Sequence, residues 1–248
     1  MSCVLATYNI KGGVGKTSAA VNLATLAARD GAPTLLWDLD PQGASTYLFR
    51  VRAKVKGGGA KLVRGKSAVD GLLKGTDTDG LDLLPADFSY RHMDLALGDA
   101  KRPERRLARV LEPLQDEYEY TFLDCPPSIS LVSESVFEAA DALLVPIIPA
   151  TLSSRTLEQL HSVLAGDRPR VLGFFSMADR RKKLHRELME SLSSEYDVLD
   201  TVIPNSADVE RMGARRAALV DFAPKSRAAR AYADLWAEVR GRLADLSE

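Results

Sequence analysis

Cysteine is nearly absent. Two thiols, Cys3 and Cys125, stand in 248 residues, in neither a C-x-x-C pair nor a metal-ligand spacing. That excludes a disulfide-stapled fold and a cysteine-built metal module, and it points to a reduced, cytoplasmic setting. Histidine is scarce too: His92, His161 and His185 are scattered, each beside helix-like sequence, and read as structural. No apolar run approaches the ~20 residues that a membrane-spanning helix needs. The start, "MSCVLATYNIKGG", lacks the basic region and long apolar stretch of a secretory signal. Neither sign of charge prevails: 33 Lys and Arg face 34 Asp and Glu, a net of −1. Overall charge therefore advertises no nucleic-acid partner, and such a partner must be argued from local clusters. No internal repeat and no long linker divides the chain.

What is present is alternation. The chain is 46% hydrophobic, enough for a real core. Strand-like apolar runs, "CVLATYN", "PTLLWDLD", "LDLLPA", "YEYTFLDCPP", "DALLVPIIP", "RVLGFFSMA" and "DVLDTVIP", are separated by helix-like segments. "KTSAAVNLATLAARDG" reads as a helix with Val21, Leu23 and Leu26 inward and Gly31 as its stop. "RRLARVLEPLQDE" and the stretches near 152–165 and 181–195 read as further helices, the last with Leu184, Leu188 and Leu192 facing the core. Pro146 and Pro149 are expected to break their strand. Continuous apolar strands suit a sheet covered on both faces. The fold class is therefore α/β: one domain over 1–248, a mostly parallel twisted sheet with helices on both faces. The basic, glycine-rich "VRAKVKGGGAKLVRGKS", 51–67, reads as a flexible loop.

The chemistry concentrates in "YNIKGGVGKTS", Tyr8 to Ser18. A phosphate-binding loop usually reads G-x-x-x-x-G-K-S/T. Here Gly15, Lys16 and Thr17 supply the end, but Ile10 takes the first glycine's place and an extra lysine, Lys11, stands beside it. Backbone N–H groups of Gly12, Gly13, Val14 and Gly15 can close around phosphate oxygens at a helix N-terminus. Lys16 would reach the terminal phosphates, the Thr17 hydroxyl would hold Mg2+, and Ser18 would touch the α-phosphate. A Mg-nucleotide also needs carboxylates at neighbouring strand ends. "LLWDLDPQG" offers Asp38 and Asp40, and "YTFLDCPPS" offers Asp124. Ligands of open parallel sheets bind beyond the carboxyl ends of the strands, so the three acids should converge on the loop.

These stretches resemble the ParA/MinD family of deviant Walker A P-loop ATPases. "KGGVGKTS" is similar to its phosphate loop, "DLDPQG" to its first switch and "FLDCPPS" to its second. "GLDLLPA", "LLVPIIPATLSSRTLEQL", "TVIPN" and "FAPKSRAARAYADLWAEV" extend the likeness over nearly the whole chain, towards the small chromosomal ParA/Soj-like members. The resemblance implies ATP and Mg2+ as ligands and slow, partner-stimulated hydrolysis. It implies an ATP-bound sandwich homodimer in which Lys11 reaches the partner's nucleotide. It makes Asp40 the residue that positions the attacking water, and puts Asp38 and Asp124 around the metal. Pro204 and Asn205 fall where the family contacts the base, with Met177 at the other base-side strand end.

The family partitions or positions cargo. The implied partners are non-specific DNA, bound in the ATP state on the nucleoid, and a ParB-like or other adaptor. DNA needs a basic surface. Arg180 and Arg181 in "DRRKKLHRE", and Arg211, Arg215 and Arg216 in "ERMGARRAAL", are the candidates. A MinD-like membrane cycle would need a basic amphipathic tail. Instead Tyr232, Leu235, Trp236, Val239 and Leu243 follow core-helix spacing, and no membrane is expected. A scaffold-binding regulator without DNA remains the other alternative. An iron–sulfur relative would need cluster cysteines, and neither Cys3 nor Cys125 reads as one.

Overall fold

The computed structural model describes residues 2–66, 68–164 and 169–244. Strand β1 (Cys3–Thr7) feeds the glycine loop and helix α1 (Lys16–Arg29), which stops at Gly31 in the left-handed region, φ 91°, where a Cβ would be strained. Then come β2 (Thr34–Asp38), the short helices α2 (Ala44–Leu48) and α3 (Gly58–Val63), β3 (Lys74–Gly75) and β4 (Leu81–Leu84). Helices α4 (Met93–Gly98) and α5 (Arg106–Leu111) lead to β5 (Tyr120–Asp124), α6 (Leu131–Ala139) and β6 (Ala142–Ile147). The rest is α7 (Ser153–Val163), β7 (Arg170–Ala178), α8 (Lys183–Glu195), β8 (Val198–Pro204), α9 (Ala207–Arg215), α10 (Leu219–Phe222) and α11 (Arg227–Ala244).

The eight strands form one sheet in the order β3-β4-β2-β5-β1-β6-β7-β8, parallel except for the two-residue β3 against β4. Alternate residues of each strand enter two separate cores. Leu35, Trp37, Leu143 and Val145 face one; Leu36, Phe122, Leu144 and Phe174 face the other. Both faces are apolar because helices cover both. The second core packs α1 against α11, where Tyr232, Leu235, Trp236 and Val239 are buried at the predicted helical spacing. The buried Asn22 on α1 donates to the Ser18 carbonyl at 2.7 Å and accepts the Leu219 N–H at 2.9 Å, tying α1 to α10.

Three local expectations need correction. Pro146 lies within β6 and does not break it. Leu144 on the same side accepts the Tyr8 N–H, so the missing Pro146 N–H faces the end of β1, where no ladder bond is lost. The Pro146 carbonyl instead accepts the Asn9 amide at 2.8 Å. Leu184 is 55% exposed; only Leu192 of its leucine row is fully buried, because α8 touches the core through its C-terminal half. Residues 51–66 are not loop throughout: α3 buries Leu62 and Val63, and Gly59 sits so close to the Tyr90 ring that a Cβ would lie 2.5 Å from it. Ser67 and residue 165, the ends of two expected segments, lie outside the described residues.

Candidate functional site

Strand register builds the floor of the site. β5 lies between β1 and β2, and their pairing aligns Thr7, Asp124 and Asp38 in one row at the carboxyl ends. Both aspartates are fully buried. One oxygen of Asp38 accepts the Thr46 N–H at 2.8 Å and the Thr46 hydroxyl at 2.7 Å. The Thr46 oxygen in turn accepts the Ala86 N–H at 2.8 Å, clamping α2 to the end of β4. Asp124 accepts the Ser45 hydroxyl at 2.7 Å through Oδ2, while its buried Oδ1 has no hydrogen-bond partner among the described residues. Burial pushes both carboxyls above the usual carboxylate range. The neighbouring Asp124 charge lifts Asp38 further, and hydroxyl donors pull each back part of the way. Asp40 is half-buried at the rim and accepts the Gln42 N–H at 2.9 Å.

The loop lies above this row. Gly12 and Gly13 are exposed and Val14 is buried beneath them. Gly15 has φ 100°, and a Cβ there would come within 2.8 Å of the Ser176 hydroxyl, so only glycine fits between loop and β7. Lys16 opens α1, buried, its Nζ donating to the Lys11 carbonyl at 2.8 Å. Burial lowers its pKa, and Asp124 is the first of the nearby charges that oppose the shift. The Lys11 N–H is fixed by Asn9 Oδ1 at 2.9 Å, and its Nζ donates to the Leu152 carbonyl before α7 at 3.2 Å. Thr17 and Ser18, half-buried, form the first turn of α1.

The residues present fit a magnesium ion. Among the described residues no three His, Cys, Asp or Glu could cage a metal unaided. Mg2+ is commonly held by one or two carboxylates together with phosphate oxygens and water. An unpartnered carboxylate oxygen on Asp124, beside Thr17 and Lys16, is such a donor set. The cysteines fit a cluster poorly: Cys125 is buried, with its thiol pushed well up by desolvation.

On the far side Pro204 and Asn205 line a cleft of about 180 Å³ with Ala178, Asp179, Arg180 and Arg181. Met177 just below takes φ 54°, unusual for a side-chain-bearing residue, where the β7–β8 register shifts.

The basic residues are not brought into one patch. Arg181 pairs with Asp179 at 2.9 Å and Arg211 with Asp208 at 3.0 Å. Arg216 lies over the Tyr47 ring, 4.5 Å from its centroid, and donates to the Tyr47 carbonyl at 3.1 Å. Arg215 is exposed on α9. Arg180 instead joins Arg227 and Arg230 along a groove of about 400 Å³ that also carries Asp200 and Asp234.

Sequence reasoning missed Asn9, Ser45, Thr46 and Ser176. The only signal was the hydroxyl pair of "GASTYL", set just after the first-switch acids.

A glycine loop on β1, a buried lysine heading α1 and strand-end acids around it define a P-loop nucleotide-binding protein. A family model described as an AAA domain matches residues 2–166. The chromosome partitioning protein ParA of Caulobacter vibrioides is 32% identical over 98% of this chain and 95% of its own. The sporulation initiation inhibitor Soj of Bacillus subtilis is 30% identical over 96% of this chain and 98% of its own. In structure, cobyrinic acid a,c-diamide synthase from Mycobacterium smegmatis, solved with ADP and magnesium, superposes with a TM-score of 0.75. It shares 27% identity over 90% of this chain and 93% of its own. The chain belongs to the ParA/MinD family of deviant Walker A P-loop ATPases.

Proposed function

We propose that this protein is a positioning ATPase of the partition type. It binds ATP with Mg2+, dimerises around the nucleotide, and in that state holds non-specific DNA on the nucleoid. Hydrolysis, stimulated by a ParB-like or other adaptor, resets it. The observation that carries the reading is the aligned row of Thr7, Asp124 and Asp38 beneath a loop with two lysines.

Each residue has a role in this reading. The backbone of Gly12, Gly13, Val14 and Gly15 wraps the phosphates, and Lys16 exchanges the Lys11 carbonyl for a phosphate oxygen. Ser18 reaches the α-phosphate. Thr17, the free oxygen of Asp124 and Asp38 would hold the metal, which would supply positive charge to the phosphates. A bound Mg2+ would neutralise phosphate charge and favour the ionised form of the two carboxyls that burial raises. Asp40, at the rim, orients the attacking water as a hydrogen-bond acceptor. Lys11 swings from Leu152 to the partner's nucleotide and acts as an arginine finger does elsewhere. Pro204 and Asn205 flank the base.

The test is phosphate release with ATP and Mg2+, alongside binding of a fluorescent ATP analogue. Lys16→Ala should lose tight binding. Asp40→Ala should bind ATP and lose turnover. Wild-type hydrolysis by Asp40→Ala would overturn the assignment of Asp40. The pairing of Arg181, Arg211 and Arg216 within the chain supports a second reading, a protein scaffold as the track, in which duplex DNA is not bound even at low salt.

A further inference from the structure

A second, unassigned feature lies at the other end of the sheet. Between the segment that follows α2 and strand β3 runs a groove of about 450 Å³. Arg52, Lys54, Lys56 and Lys74 stand around it with Val51 and Leu72, and no acidic residue among the described residues lines it. All four cations are exposed, and none forms an ion pair among the described residues. Their neighbours behave differently: Arg50 pairs with Asp77 and Arg64 with Asp99. The four cations around the groove are thus left open to an external partner. β3 is four strands from β1 in the sheet, roughly 19 Å at the usual strand spacing, so the groove is separate from the phosphate loop.

We propose that this groove receives an acidic segment of a partner protein, anchored by an apolar side chain against Val51 and Leu72. Charge complementarity asks for carboxylates or phosphates. The apolar lining decides between them, because a duplex backbone has no apolar side chain to bury there. The groove wall is continuous with helix α2, whose Thr46 holds Asp38. The Val51 N–H donates to the Thr46 carbonyl at 3.1 Å, Thr46 clamps Asp38, and a Cβ at Gly43 would touch Ala53 at 3.6 Å. An occupant that shifts residues 51–56 therefore shifts α2 and its hold on Asp38, and changes ATP turnover. That consequence rests on the ATPase reading; the docking itself does not.

The probe is a short fluorescein-labelled peptide of alternating glutamate and leucine, followed by anisotropy with the nucleotide-free full chain. Its twin carries lysine in place of glutamate. The acidic peptide should bind, and the triple variant Arg52→Glu, Lys54→Glu, Lys56→Glu should weaken it about tenfold, each exposed charge contributing modestly. Lys74→Glu, on the opposite wall, should weaken it less. Duplex DNA should not displace the peptide. Undetectable binding, equal binding of both peptides, or an unchanged triple variant overturns the proposal; displacement by DNA makes the groove a nucleic-acid surface instead. Saturating peptide should alter the phosphate-release rate of wild type and not of the triple variant. A rate unmoved while the peptide is bound refutes the coupling to Asp38, whereas a chain without ATPase activity leaves the binding result to decide docking alone.

Discussion

Replacing Thr46 with valine removes one hydroxyl and leaves the side-chain volume unchanged, so no cavity complicates the result. Thr46 is fully buried, and its oxygen has two partners: it donates to Asp38 at 2.7 Å and accepts from the Ala86 N–H at 2.8 Å. Loss of a hydrogen bond to a charged group costs about 1.5–3 kcal/mol, and an orphaned buried N–H about 1–3 kcal/mol. The two overlap at one atom, so about 3 kcal/mol is expected where Asp38 is ionised, above its folded pKa of about 8. The Asp38 share depends on pH. Burial and then the Asp124 charge raise the folded Asp38 pKa, so stability from this group is full below the unfolded carboxylate range and is lost as pH rises through the folded value. The Thr46 hydroxyl favours the ionised form, and its removal raises the folded pKa further. The extra loss therefore grows with pH, and where Asp38 is protonated only the Ala86 share remains. Urea unfolding followed by the fluorescence of the buried Trp37 and Trp236, at about pH 9.5 and about pH 6, on either side of the folded Asp38 value, reads both shares. A double-mutant cycle with Asp38→Asn should show coupling of about 1 kcal/mol or more. A total cost below about 1 kcal/mol, or one equal at both pH values, would refute this account of the clamp.

Two further outcomes bear on the cycle. Static light scattering on Asp40→Ala with ATP should report a dimer, and adding Lys11→Ala should return it to monomer; a dimer indifferent to both ATP and Lys11 would sink the sandwich. Duplex binding with ATP should weaken as salt rises, with a log–log slope of about −0.9 per phosphate neutralised. Because Arg181, Arg211 and Arg216 are engaged within the chain, Arg180→Glu with Arg215→Glu should carry most of the loss, equally for all sequences and without loss of ATP binding. Equal binding with ADP would remove the switch.

The loop, α1 and the strands around them were legible because independent signals coincide there. Glycines, Lys-Thr and an alanine-rich helix stand in the order that phosphate binding needs, and doubly covered strands appear as plain apolar runs. Short elements left no such trace: α3 is six residues and β3 two, too few for a period to show. Leu184 obeys the helical period yet sits on the half of α8 that meets no core. Pro146 carries the usual strand-breaking signal, which matters only where a partner strand waits for the N–H. The acids of the site were legible by position, but their clamps were not. Nothing in the sequence tells a hydroxyl that bonds a carboxylate from one that meets water. The arginines divide the same way: Asp179–Arg181 and Asp208–Arg211 are local pairs, while Arg216 finds Tyr47 across 169 residues.

Lys11 rests on an oxygen that does not depend on it. The Leu152 carbonyl that holds the ammonium also accepts the Thr156 N–H at 3.3 Å and the Thr156 hydroxyl at 3.0 Å. When Lys11 departs, that oxygen keeps two donors and α7 keeps its first turn. Departure therefore costs one exposed hydrogen bond, a small debt beside a phosphate contact. The arrangement works as a spring-free hinge pin: nothing must unfold to release the lysine, and nothing must refold to take it back. In the proposed cycle, a lysine that gave up the partner's phosphate would find the same carbonyl open to it.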